Sequence, residues 1–391
     1  MFINKPAVVL GTNVLQKKVV EVGEAVQGGS VDHVKCILEK MQVNYEIRSL
    51  PWRRARQEVH TSVIDGFFTA VAIDDANEFA TFSAPLVLEN WYWFWRTDMV
   101  APASWKQHYP IGVILGSQQE TILSNEGYSD FVAANNVPQL LKLLFTKRVD
   151  AVLLDKEIFE KAAAELNVSS RDYKSRFFRY MPLGVYFGAP FLAQNPEFLS
   201  AFNSRIDSCA SVGFDLSSNE QSEIQKIVEP WFAQILRNKD LIAAVVQQNA
   251  TNKNKSDTQL QKLDEQWQLA FKIHNLDFPK SLINQILSNF LGELKNNSNE
   301  LLAEVIVMDG RGYNIAMSSM TSDYWQGDEE KFTKAFNGTS DFIFVDKIKY
   351  DASSKRFQVQ LSAPLVDPKT QKSIGAVTLG VDVDKALSQS N

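Results

Sequence analysis

The chain has 391 residues, 45% hydrophobic and 22% charged, with a formal net charge of −6. That length exceeds one ordinary domain and predicts two or three compact units. The charge balance excludes the basic face that nucleic acid needs. No apolar run approaches the roughly 20 residues of a membrane-spanning helix. Four histidines and two cysteines, scattered along the chain, exclude a zinc site. No metal or cofactor is expected.

In chain order, residues 8–11 read as a short buried strand ending at Thr12-Asn13. Ser30 caps a helix over 31–41, with Asp32 favourable in its first turn. Residues 43–47 alternate like a strand. The stretch 51–85 is the organising unit. A polar helix carrying Arg53, Arg54 and Arg56 leads through Ile64-Asp65-Gly66 into the apolar run 67–73. An acidic loop then reaches Phe82-Ser83-Ala84-Pro85. In open α/β sheets, such strand ends face the ligand. The aromatic run 91–95 reads as a strand crossing between lobes, or as a strand packed in the core.

A second β/α system starts at 111–115, and Gly116-Ser117-Gln118 opens its helix. Free N–H groups at such a helix start suit an anion. An amphipathic helix covers 136–146. Residues 149–155 repeat the theme of 65–74, so two lobes of similar build are expected. A strand at 183–187 and a helix from Asn195-Pro196 to about residue 210 complete the return into lobe 1. Cys36 and Cys209 fall on helices, and two buried free thiols are expected, with a disulfide as the alternative.

The order and spacing of these elements over residues 5–237 resemble the periplasmic solute-binding proteins of the amino-acid type. The resemblance implies a two-lobed α/β protein closing over a small polar solute such as an amino acid. By position it implies that Trp52 stacks on the ligand and Thr69 offers a hydroxyl or backbone contact. It places Ser117 at the helix start that takes a ligand carboxylate, and Asp155 against the ligand's amino group. The same residue types also serve as a core edge (Trp52), a turn (Ser117) and a helix cap (Asp155). One departure stands out. The family's carboxylate-clamping arginine falls at Ala76, so a bidentate fork is missing there. Arg53 or Arg54 is the nearest substitute.

Residues 238–262 turn polar and read as a linker or an exposed helix start. Helices follow over 257–273, with Leu260, Leu263, Trp267 and Phe271 on one face, and over 281–294. The period then changes to two. Strands are expected at 304–309, 313–317, 342–350, 356–364 and 375–383, with a helical insert near 327–337 and a turn at 351–354. This region resembles a single Cache-type, PAS-like sensor domain. The residues that carry it are Met308-Asp309, the segment Asp323-Tyr324-Trp325-Gln326-Gly327-Asp328-Glu329, and the closing strand to Asp382. The resemblance implies a second pocket, with Asp323, Tyr324, Trp325 and Asp382 as its candidate residues. The plainer reading makes Trp325 a core residue.

The expected architecture is therefore a two-lobed α/β domain over 1–237 (lobe 1 about 5–97 and 192–237, lobe 2 about 98–191), a linker over 238–257, and an α+β Cache-like domain over 258–391. No Gly-x-Ser-x-Gly, P-loop or His-Glu-x-x-His motif occurs, so a binding protein is favoured over an enzyme. One reading is a solute sensor, or uptake protein, with a membrane sensor or transporter as partner. A second is an interaction protein with degenerate clefts that docks a receptor or kinase. A third is a dehydratase-type enzyme on the solute-binding fold. The N-terminus lacks an apolar signal core, and the family resemblance implies a periplasmic protein whose signal has been removed.

Overall fold

The computed structural model describes residues 7–12, 16–19, 24–27, 29–72, 74–106, 109–209, 215–339, 342–351 and 356–389. The chain divides into one compact unit over 1–213 and a second over 214–390.

The first unit is built on a nine-stranded sheet. Val8–Thr12 pairs in parallel with Tyr45–Ser49 and with Gly66–Ala70. Ile111–Ile114 pairs in parallel with Phe131–Ala134 and with Ala151–Asp155. These two parallel sets are the two lobes. The antiparallel pair Val87–Arg96 and Tyr173–Gly188 joins them, running through the middle of the strand order. The two-lobed α/β arrangement expected from the sequence is present.

The organising stretch earns its place by local bonding. Asp65 Oδ2 accepts from Val9 N at 2.8 Å, which ties the start of Gly66–Ala70 to its neighbour. The Ser83 hydroxyl accepts from Val185 N at 3.0 Å, and Ser83 N donates to Val185 O at 2.8 Å. This docks the Phe-Ser-x-Pro segment where the long crossing strand shifts register between Gly184 and Val185. A Cβ on Gly184 would lie 2.8 Å from the Phe82 ring and 2.9 Å from the Ser83 hydroxyl, so a larger residue there would have to displace both side chains.

Both readings of the aromatic run hold. It forms the crossing strand and it fills cores on both faces. Trp91, Trp93 and Trp95 pack with Trp105, Val113 and Leu123. On the opposite face Phe94 stacks on Phe159, with ring centroids 3.7 Å apart. Alternation of side chains across a strand makes this possible.

The free-thiol expectation is overturned. Cys36 and Cys209 form a disulfide across a sequence separation of 173. It fastens the helix Gly29–Lys40 to Ile206–Cys209, where a ring nitrogen of His33 also lies 2.8 Å from Ile206 O. The return helix expected from Asn195-Pro196 to about residue 210 is instead two short pieces, Phe198–Asn203 and Ile206–Cys209, preceded by the helix Ala189–Gln194.

The second unit begins well before residue 258. The division expected at 237/238 lies at 213/214. Ser218–Leu236 is a helix with a capping box, in which Ser217 and Glu220 satisfy each other's backbone N–H groups. Its buried residues Ile224, Val228, Phe232 and Ile235 face the second unit's own sheet and helices. The polar stretch read as a linker is the helix Lys239–Lys253, with Leu241 and Val245 buried.

The sheet of this unit has five antiparallel strands in the order Asn314–Met317, Leu302–Asp309, Ser373–Asp382, Arg356–Val366, Phe344–Asp351. First and last strands meet inside it. Ile306, Met308, Met317 and Ala376 pack with Leu260, Trp267, Tyr324 and Phe332. The helical insert is Glu330–Phe336. The turn expected at 351–354 lies, beyond Asp351, outside the described residues.

Candidate binding cleft

The lobes of the first unit present strand ends to each other, the position where open α/β sheets bind ligands. On lobe 1, Thr12 ends its strand with its hydroxyl 3.0 Å from that of Thr69. Thr69 sits at φ +59°, a conformation rarely adopted by a β-branched residue. Its hydroxyl donates to Phe68 O at 2.8 Å. Trp52 opens the helix Trp52–His60, half-buried, with its ring edge toward Phe67 at 6.1 Å. The geometry leaves part of that ring exposed. Arg54 does not supply the missing fork. Its Nε donates to Glu58 at 2.7 Å on the same helix, and its side chain is 68% exposed. Ala76 is fully buried.

On lobe 2, Ser117 caps the helix Gln118–Asn125, accepting from Glu120 N at 3.2 Å. Glu120 in turn takes the Gly116 N–H at 2.5 Å. Both bonds tie the turn before the helix to its first turn. Gln118 Nε2 donates to Thr69 O at 3.1 Å, a direct bond between the lobes. Asp155 is 7% exposed and both its oxygens are committed to backbone, accepting from Ile158 N and Asn90 N at 3.1 Å each. Burial raises its carboxyl above the usual range, and those backbone bonds oppose the rise. Its observed role is the helix cap and strand tie. Asp155→Ala is expected to cost about 1–2 kcal/mol of stability, the range of a lost cap, read as a lowered denaturant midpoint. An unchanged midpoint would refute the cap.

Sequence reasoning passed over Glu89. It lies on the crossing strand, on the face that carries Trp91, Trp93 and Trp95, and accepts from Trp91 Nε1 at 2.8 Å. Burial pushes its carboxyl up to about 7, with the nearby Asp155 charge adding to the rise. Among the described residues none of Glu89, Glu120 and Asp155 is paired with a cation; Lys156, next in the chain, lies 5.0 Å from the Tyr92 ring centroid. Glu120 was legible, because Ser117-x-x-Glu120 has the spacing of a capping box.

In the second unit the four candidate residues are placed structurally. Tyr324 is buried and stacked on Trp267 at 5.3 Å, and burial raises its phenol further. Asp264 accepts from the backbone N–H groups of Tyr324 and Trp325 at 2.8 and 2.9 Å. Trp325 Nε1 donates to Arg311 O at 2.9 Å. Asp323 accepts from Gln326 Nε2 at 2.8 Å. Asp382 caps the final helix through Lys385 N at 2.9 Å and lies 3.3 Å from Arg356. Asp309, fully buried, accepts from Asn252 Nδ2 at 2.7 Å, from Gln248 Nε2 at 3.2 Å and from the N–H groups of Arg311 and Tyr313.

No family model and no curated protein matches the chain. Solved structures do. One is a histidine kinase sensor domain with similarity to periplasmic binding proteins, 16% identical with a TM-score of 0.42, covering 52% of this chain and 89% of that one. A mutant of arginine-bound ArgBP from T. maritima is 18% identical with a TM-score of 0.40, over 52% and 95% of the two chains. The GluR0 ligand-binding core from Nostoc punctiforme, in complex with L-glutamate, is 15% identical with a TM-score of 0.41, over 57% and 99%. Likeness at this level fixes neither fold nor ligand. The two-lobed arrangement stands on this chain's own strand order.

Proposed function

We propose that the chain is a non-enzymatic, extracytoplasmic binding protein of sensing or uptake, whose first unit closes over a small solute. The observation that carries the reading is the bond from Gln118 to Thr69, which joins the lobes beside the two crossing strands and the packing of Val71 with Ile111, Val113 and Leu123. We read this contact as one that lobe approach favours, and a solute acts by favouring a closed arrangement over an open one. The disulfide supports an oxidising compartment. A second unit of Cache type, with a membrane sensor or transporter as partner, belongs to the same proposal. Its support is the five-stranded antiparallel sheet with first and last strands adjacent.

The cleft's polar groups favour solutes with an amine or neutral donor head over free amino acids. The test is a calorimetric screen of the full chain against amines, carboxylates and nucleosides, with lobe separation followed by paired spin labels. A binder that shortens the separation supports the reading. A panel without binders, on a protein that stays closed throughout, favours docking by a degenerate cleft; the commitment of Asp155 to backbone and the buried Ala76 are the observations behind that second reading. Gln118→Ala removes one hydrogen bond worth about 1 kcal/mol. It is expected to shift the unliganded population toward the open form roughly fivefold. An unaltered spin-label distance distribution would count against the inter-lobe bond.

A further inference from the structure

We propose that the segment Thr69–Val71 is a strap, built on a β-bulge, that draws the two lobes of the first unit together before any solute arrives. The inference rests on the reading above that the lobes have open and closed arrangements, and it adds what sets the balance between them.

The strand Gly66–Ala70 pairs antiparallel with the crossing strand, Phe68 opposite Val185 and Ala70 opposite Gly184. Thr69 falls between these pairs with no partner in that ladder, which makes it the extra residue of a bulge. It is also the residue held at φ +59°. An extra residue shifts the alternation of side chains by one place. Phe67 and Ala70 therefore share one lobe 1 core, although residues three apart in an unbroken strand point to opposite faces. Val71 then leaves that core. It is 3% exposed and packs in the cluster that holds Ile111, Val113 and Leu123 of lobe 2.

The bulged residue carries the polar contact as well. The Thr69 carbonyl accepts from Gln118 Nε2 at 3.1 Å, on the first turn of a lobe 2 helix. The Thr69 hydroxyl is spent within lobe 1, donating to Phe68 O and lying beside the hydroxyl of Thr12. One polar and one apolar contact thus leave lobe 1 within three residues. Both follow a backbone conformation that a β-branched residue rarely takes. Such a residue persists where its surroundings over-determine it, and here lobe 2 holds the far side. Parting the lobes would bring Val71 into water, so burial of that side chain favours the closed arrangement without a ligand.

The full, oxidised chain is spin-labelled at Arg53→Cys in lobe 1 and Glu165→Cys in lobe 2, both exposed positions, and the lobe separation is measured without any solute. With the strap intact, a short separation is expected to dominate. Val71→Ala removes two buried methyl groups and is expected to raise the open population about tenfold. With Gln118→Ala added, the longer separation should become the larger population. Val71→Thr keeps the shape and adds a hydroxyl; it takes the place of alanine if that variant does not unfold cooperatively. A strap-intact protein that is already open overturns the proposal, as does a folded double variant whose separation is unchanged. No solute enters the measurement. A screen that finds no binder therefore removes the ligand reading and leaves the strap standing, whereas a binder on a chain whose strap variants stay closed removes the strap alone.

Discussion

Replacing Cys36 and Cys209 by serine is expected to lower the stability of the first unit by about 2–5 kcal/mol, the range measured for loss of a native disulfide. The bond closes a loop of 173 residues in sequence separation, so it restrains most of that unit's unfolded chain. The two helices also pack in one core, where Val34, Ile37 and Ile206 are buried and Cys209 packs against them. Lys40 Nζ donates to Ser208 O at 2.6 Å at an exposed site, and His33 contacts Ile206 O. Denaturant unfolding with and without reductant checks the expectation. The wild-type midpoint should fall on reduction, and the double serine variant should ignore reductant. A wild-type midpoint indifferent to reductant would show that the two sulfurs are not joined.

The second large effect is a dependence on pH. Glu89 is raised from 4.5 to about 7 in the folded protein, chiefly by burial. In that window the folded state holds a proton that the unfolded state has released. Stability is therefore greatest near the unfolded value and falls as pH rises through the folded one. The loss amounts to roughly 3 kcal/mol once both forms are ionised, from about 1.4 kcal/mol per unit. Glu89→Gln removes the half-buried charge. At about pH 8 the variant is expected to be more stable than wild type by up to that amount, and near the unfolded value the two should match. Parallel stability curves for the two proteins across the window would contradict the assignment. A cationic solute beside Glu89 would draw its proton off, so binding of an amine should release a proton and strengthen toward alkaline pH.

The order of strands was readable because burial leaves apolar runs of fixed length, such as Phe67-Phe68 and Leu153-Leu154, at repeating places. The sites were less so, since a residue type does not say where its hydrogen bonds are committed. Asp155 and Ser117 match a binding pattern and a capping pattern equally, and the structure places them as caps. Glu89 carried a signal in its alternation with Trp91, Trp93 and Trp95, which puts a carboxyl on an apolar face. The helix Lys239–Lys253 was hidden for a different reason. Its inward side uses Gln248, Asn249 and Asn252 to hold the hairpin at Asp309, so the pattern of a buried face is polar. The disulfide joins positions too distant in sequence for spacing to link them.

The placement of Leu302–Asp309 beside Ser373–Asp382 governs the order in which a growing chain can fold. During synthesis the earlier strand emerges with only the short hairpin partner Asn314–Met317 on one side. Its other side exposes unpaired backbone until residues beyond 372 have left the ribosome. The helices Ser218–Leu236 and Lys239–Lys253, made earlier still, wait for the sheet they cover. Domains dominated by such distant pairings fold slowly, and their open edges invite association while they wait. The second unit is thus expected to assemble late and in one step, and a nascent chain stalled before its last strand would be a substrate for chaperones rather than a partly folded unit.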